Sequence, residues 1–147
     1  AHLLRNRSQL TVLTPSLRIA TELADSPGIR LMLTGGSIRP GELSLVGPLA
    51  EVAFENFIFD HFVMGVGGIH PTAGVTEYNL DDARVKRRAL ESAQSRMVVA
   101  DRSKLGNVAF AKVCPLTEID VVVTDDRPDV PDDDIEALQD TVEVMLA

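Results

Sequence analysis

Apolar residues along the chain alternate between short β-branched runs and stretches of helical spacing. Leu10–Thr14 reads as a strand ended by Pro15-Ser16, and Ser16 or Pro15 starts a short helix with Leu17, Ala20 and Leu23 on one face. Ile29–Leu33 is a second strand, closed by Thr34-Gly35-Gly36. Pro40-Gly41 places a loop or irregular hairpin between Ser37 and Leu45. Gly47-Pro48 opens a helix whose Leu49, Val52, Ala53 and Phe57 should face the sheet. Asp60–Met64 is the next strand, followed by Gly65-Val66-Gly67-Gly68 and a long loop from Ile69 to Glu77.

The longest helix is expected over Leu80–Ser95, capped by Asn79 or Asp81 with acids in its first turn. A strand at Met97–Ala100 follows, then a mixed apolar segment, Val108–Leu116, that suits an edge strand. Ile119–Thr124 is a buried strand ended by Asp125-Asp126-Arg127-Pro128. A helix then starts at Pro131-Asp132-Asp133-Asp134 and runs to about Leu138, and Val142–Leu146 closes as a strand. Leu3 and Leu4 read as the tail of a helix. Strands alternating with helices predict an α/β fold: a doubly wound, mostly parallel sheet with helices on both faces. No repeat, low-complexity segment or linker divides the chain, so residues 1–147 are expected to form a single domain.

Composition narrows the partners. Aromatics at 4%, with no Trp, leave a core of Val, Leu, Ile and Ala, as parallel sheets prefer. A net charge of -8 argues against this chain gripping DNA phosphates by itself. One cysteine, Cys114, excludes an internal disulfide and fits a cytoplasmic setting, and its apolar surroundings suit a small core residue. No apolar run reaches the length of a membrane span, and none resembles a signal peptide. The chain opens on Ala1 without an initiator Met, which fits either a processed terminus or a piece of something longer.

The chemistry concentrates where the strand at Met97 gives way to Asp101-Arg102-Ser103-Lys104-Leu105-Gly106. Ligands of open α/β sheets bind outside the carboxyl ends of the strands. There Asp101, Ser103 and Lys104 can fix an anionic, hydroxylated small molecule, with Lys104 supplying the charge. The same residues can equally form a surface turn in which Asp101 and Ser103 bond the local backbone. Gly35-Gly36 permits positive φ or close approach of a ligand. Gly65–Gly68 lacks the dinucleotide fingerprint, because Ile69-His70-Pro71 interrupts the required helix, and suits a smaller anion. His70 lies in an exposed loop and His61 inside a strand, where it is expected to pack. The scatter of His2, His61, His70 and Cys114 gives no metal spacing, and no cofactor is expected. Arg84, Lys86, Arg87 and Arg88 read as a solvated face paired at i,i+4, Asp82 to Lys86 and Arg87 to Glu91.

A series of segments, in order, resembles the effector-sensing domain of DeoR-type bacterial transcriptional regulators. They are Thr11–Ser16, Leu33–Gly36, Ser44–Pro48, Asp60–Gly68, Gly74–Thr76, Asp82–Lys86, Asp101–Gly106 and Ile119–Asp125. The resemblance implies a fold similar to ribose-5-phosphate isomerase and a phosphorylated sugar or related metabolite as effector. It implies that Lys104 meets the phosphate or a sugar oxygen. Gly35, Gly36, Gly67 and Gly68 would admit the ligand to the backbone, and Thr14 and Ser16 would add hydroxyls. Asp82 would accept a sugar hydroxyl or else cap its helix. DNA would be read only by an N-terminal helix-turn-helix, absent here, and the family's first sensor strand and its Gly-Thr-Thr loop would also precede Ala1. A homo-oligomer follows from the same resemblance, since palindromic sites call for two-fold symmetry. The rival is a sugar-phosphate isomerase or aminosugar-phosphate deaminase on the same fold. The loop from Ile69 to Glu77 offers it no lysine, and only Asp82 is a placed base.

Overall fold

A computed structural model describes residues 1–126 and 133–147. The chain divides into two compact units, Ala1–Asn56 and Phe57–Ala147.

In the first unit, His2–Leu4 is a single 3-10 turn rather than the tail of an α-helix. Strands β1 (Leu10–Thr14) and β2 (Ile29–Leu33) pair in parallel, with Leu10 opposite Ile29 and Thr14 opposite Leu33. Between them runs α1 (Leu17–Leu23), which buries Ala20 and Leu23 from the expected face. Pro40-Gly41 turns an antiparallel hairpin of β3 (Ser37–Arg39) and β4 (Ser44–Val46). Pro48 opens α2 (Pro48–Val52) at the first helical position, as its preset φ favours.

The stripe expected on that helix is corrected. Leu49 is 67% exposed and Val52 46%, whereas Ala50 and Phe54 are buried. The helix lasts only five residues, too few turns for a 3.6-residue period to choose the inward face.

In the second unit the strands are β5 (Phe59–Met64), β6 (Gly68–His70), β7 (Gly74–Glu77), β8 (Ala93–Val99), β9 (Ala111–Cys114), β10 (Val121–Thr124) and β11 (Glu143–Leu146). Its helices are α3 (Leu80–Glu91) and α4 (Asp133–Gln139). The expected parallel sheet is here, in the order β11-β10-β8-β5. One apolar cluster takes in Met64, Val98 and Val122 from three adjacent strands, Ala83 and Leu90 from α3, and Ile135 and Leu138 from α4. Val98 and Val122, opposite each other in register, are fully buried.

Other boundaries also differ from expectation. The long loop from Ile69 to Glu77 is a hairpin, β6–β7, and with β9 it makes a three-stranded antiparallel sheet. Gly74, at φ +77, turns that hairpin. Helix α3 stops at Glu91 and β8 begins at Ala93, so Ser95 lies in a strand. Pairing with β5 overrides the helical propensity of that stretch, with Ala93 opposite Phe59 and Ser95 opposite His61. The turn at Arg127-Pro128 and the helix start at Pro131-Asp132 lie outside the described residues. Among the described residues no helix is long and apolar enough to cross a membrane.

Candidate functional site

The carboxyl ends of β5 and β8 in the second unit meet through their loops. After β8, the amide of Ala100 still bonds the Val123 carbonyl at 3.0 Å. Asp101 then caps a 3-10 turn, Arg102–Lys104, its Oδ1 accepting from the Ser103 amide at 2.9 Å. The local-turn arrangement is therefore present, and it leaves Ser103 exposed and Lys104 half-buried. Hydrogen bonding to Ser103 holds the Asp101 carboxyl below its ordinary range; burial opposes this, and the Lys104 charge adds to the lowering.

The loop after β5 packs against that turn. Ile69 bridges to Leu105, and Asn107 Nδ2 donates to the Ser103 carbonyl. A Cβ on Gly68 would stand 2.4 Å from the Asn107 carbonyl oxygen, and one on Gly67 would stand 3.0 Å from the Tyr78 ring. What these two glycines admit in the structure is the protein's own chain. Gly67, Gly68, Asp101, Ser103 and Lys104 are thus gathered on one end of the parallel sheet.

Asp82 lies in the first turn of α3 and is 9% exposed. The cap of that helix is Asn79, whose Oδ1 accepts from the Asp81 and Asp82 amides at 2.9 and 3.1 Å. The i,i+4 pairing expected along α3 is replaced by i,i+3 pairs, Asp81–Arg84 at 3.6 Å and Arg88–Glu91 at 3.0 Å. Arg87 turns to the Lys112 carbonyl at 3.1 Å. Lys86 reaches the Gly65 carbonyl at 2.8 Å and pairs with Glu77, tying α3 to the end of β5.

The remaining predicted residues lie in the first unit. Thr14 is buried and its Oγ1 accepts from the Ser16 amide at 3.1 Å, while Ser16 caps α1 by accepting from the Ile19 amide at 3.3 Å. The Thr34 amide bonds the Thr14 carbonyl at 3.3 Å, which brings Gly35 and Gly36 to the same end of β1 and β2. Gly35 has φ +75 and open space around its missing side chain. Gly36, at φ +108, accommodates the Val46 carbonyl, 2.5 Å from where a Cβ would be.

Two histidine expectations change. His61 is exposed on β5, an edge strand of the parallel sheet, instead of packed. His70 is half-buried and closes the β6–β7 turn, its Nδ1 accepting from the Thr72 and Ala73 amides at 3.2 and 3.4 Å. Cys114 is in the core as expected, and burial pushes its thiol up to about 12.

Arg102 is a site residue that no local sequence pattern marks. Its residue is 6% exposed, its amide donates to Asp125 Oδ1 at 2.8 Å and its Nε to the Asp125 carbonyl at 2.9 Å. The available signal was the acid pair Asp125-Asp126 at the end of a strand adjacent to β8, which a basic residue after β8 can reach.

The sequence profile of the DeoR C terminal sensor domain matches residues 1–126. The putative aga operon transcriptional repressor of Escherichia coli O157:H7 is 33% identical over 147 residues, covering 99% of this chain and 54% of its own length. The glycerol-3-phosphate regulon repressor of Escherichia coli K12 is 30% identical over 130 residues, 88% of this chain and 52% of its own. The HTH-type transcriptional regulator GlpR of Haloferax volcanii is 39% identical over 112 residues, 76% and 44% respectively. The chain spans about half the length of these curated relatives.

Proposed function

The chain belongs to the DeoR C-terminal sensor domain family, and from that premise we propose that it senses a phosphorylated sugar or polyol and thereby controls DNA binding by a helix-turn-helix in the intact regulator. The relatives are transcriptional regulators, and one is named for the glycerol-3-phosphate regulon. The observation that carries the proposal is the turn Arg102–Lys104 at the end of β8, an interior strand of the parallel sheet, with Leu105 and Asn107 just after it meeting Ile69 and Gly68. That is where α/β sheets hold ligands. Lys104 offers an ammonium for the phosphate, and Ser103 a hydroxyl. Asp101 shapes the turn, and Asp82 accepts a sugar hydroxyl. Thr14, Ser16, Gly35 and Gly36 are proposed effector contacts of the first unit.

The proposed effect is regulatory, in a cytoplasmic homo-oligomer, without catalysis or a cofactor. An effector shifts a regulator only through its differential affinity for two states. A thermal-shift screen against phosphorylated sugars and polyols, repeated with Lys104→Ala, tests the site. A ligand at about a hundred times its Kd adds roughly 2.7 kcal/mol. A shift with one compound, lost on Lys104→Ala, is the expected result; a shift unchanged by that substitution removes Lys104 from the site. Turnover of ribose 5-phosphate abolished by Asp82→Asn would overturn the regulatory assignment.

A further inference from the structure

We infer that Arg102 is a positioning residue for the effector contacts Ser103 and Lys104, an inference that rests on the effector assignment above. Arginine is almost never fully buried unless its charge is paired. Here the side chain lies beneath the turn, 4% exposed, bonded to the Asp125 carbonyl at 2.9 Å with a terminal nitrogen 3.8 Å from Asp126. The same residue's amide donates to the Asp125 carboxylate at 2.8 Å. Main chain and side chain of one residue are thus fastened to the end of β10.

The consequence follows from 3-10 geometry. With about three residues per turn, successive side chains leave the axis roughly 120° apart. Pinning Arg102 inward therefore sets the directions of the next two side chains. The structure has this pattern, with Arg102 buried, Ser103 exposed and Lys104 half-buried. The amides of Lys104 and Leu105 close the turn on the carbonyls of Asp101 and Arg102 at 3.0 and 3.1 Å. A guanidinium suits the task because its rigid fork donates in several fixed directions at once. A lysine ammonium is a single point on a flexible stem and does not reproduce it. Asp125 and Arg102 form a brace between two strand ends, and the effector contacts stand on that brace.

Amide hydrogen exchange and calorimetric titration with inorganic phosphate and glycerol 3-phosphate, on the full chain and on Arg102→Lys, Arg102→Met and Asp125→Ala, test this. The expected result is exchange about tenfold or more faster at Lys104 and Leu105, unchanged exchange at Val98 and Val122, and an affinity for the probe reduced about tenfold. Should the Arg102 substitutions also open Val98 and Val122, Asp125→Ala decides, since it leaves the guanidinium in place and removes only the carboxylate. Unchanged exchange at Lys104 and Leu105 overturns the inference, as does faster exchange with undiminished affinity. If the unsubstituted chain binds neither probe, the assignment of small phosphorylated effectors fails. Whether Arg102 holds the turn is then judged by exchange alone.

Discussion

The hydroxyl of Thr76, sealed from solvent, donates to the Gly68 carbonyl at 3.1 Å and accepts from the Ala109 amide at 2.9 Å. One side chain thereby ties the loop after β5 to the segment after the Asp101–Gly106 turn. Thr76→Val keeps the shape and leaves the carbonyl and the amide without that partner. Each buried group left unsatisfied costs about 1–3 kcal/mol. Urea unfolding should show a lower midpoint for Thr76→Val, and Thr76→Ser should recover most of it. A Thr76→Val midpoint at the parent's value, with a lowered midpoint for Thr76→Ser, would show that the methyl, not the hydroxyl, matters.

Gly68 and Gly65 differ in what surrounds them. A Cβ on Gly68 meets main chain at 2.4 Å, whereas one on Gly65 finds its nearest neighbour, the Val99 carbonyl, at 3.9 Å. Gly68→Ala should therefore destabilise by about 1–3 kcal/mol, the usual range for overpacking. Gly65→Ala should be neutral or slightly stabilising through the unfolded chain. The two melting temperatures side by side are the check, and the reverse order would refute the packing described.

Ser16 caps α1 and is also a proposed effector contact, and two substitutions separate the roles. Ser16→Ala should lose about 1 kcal/mol, the typical value of a cap. Ser16→Asp keeps a capping oxygen and adds negative charge at a helix N-terminus, which is favourable. It should unfold like the parent yet weaken any phosphate-induced thermal shift. An undiminished shift in Ser16→Asp would leave the hydroxyl a cap alone.

Asp101 titrates below its ordinary range in the folded chain because it accepts from Ser103. A depressed folded pKa means stabilisation that is complete above the unfolded value, about 3.9, and lost as pH falls through the lower folded value. The Ser103 amide resonance should therefore hold its native position down to about pH 4 and move only below it. In Asp101→Ala that acid transition should vanish. A transition centred above pH 4 in the parent would contradict the hydrogen bond.

Much of this fold is legible in local pattern. Leu10–Thr14 and Ile29–Leu33 are strands at the expected residues. Both are apolar runs stopped by residues with restricted or permissive backbones, and such stops act within a few positions. The caps Ser16 and Asn79 follow from the same short-range chemistry. The hairpin over Ile69–Glu77 was not legible, because Pro71 and Gly74 mark a turn while the partner that makes it a sheet, β9, lies more than thirty residues on. The end of α3 was missed likewise, since Gln94 and Ser95 carry no stop signal and only pairing with β5 assigns them to a strand.

The candidate site divides in the same way. Sequence alone determined the α/β class, the parallel strands and the polar Asp101–Lys104 segment that follows β8, because strand periodicity and turn chemistry are properties of neighbouring residues. Only the tertiary structure decided that Gly67 and Gly68 yield space to Tyr78 and Asn107, that Lys86 serves Gly65, and that Arg102 is buried on Asp125. Each of these is a close contact between segments distant in the chain. Such contacts depend on register and packing, which no short stretch of sequence encodes.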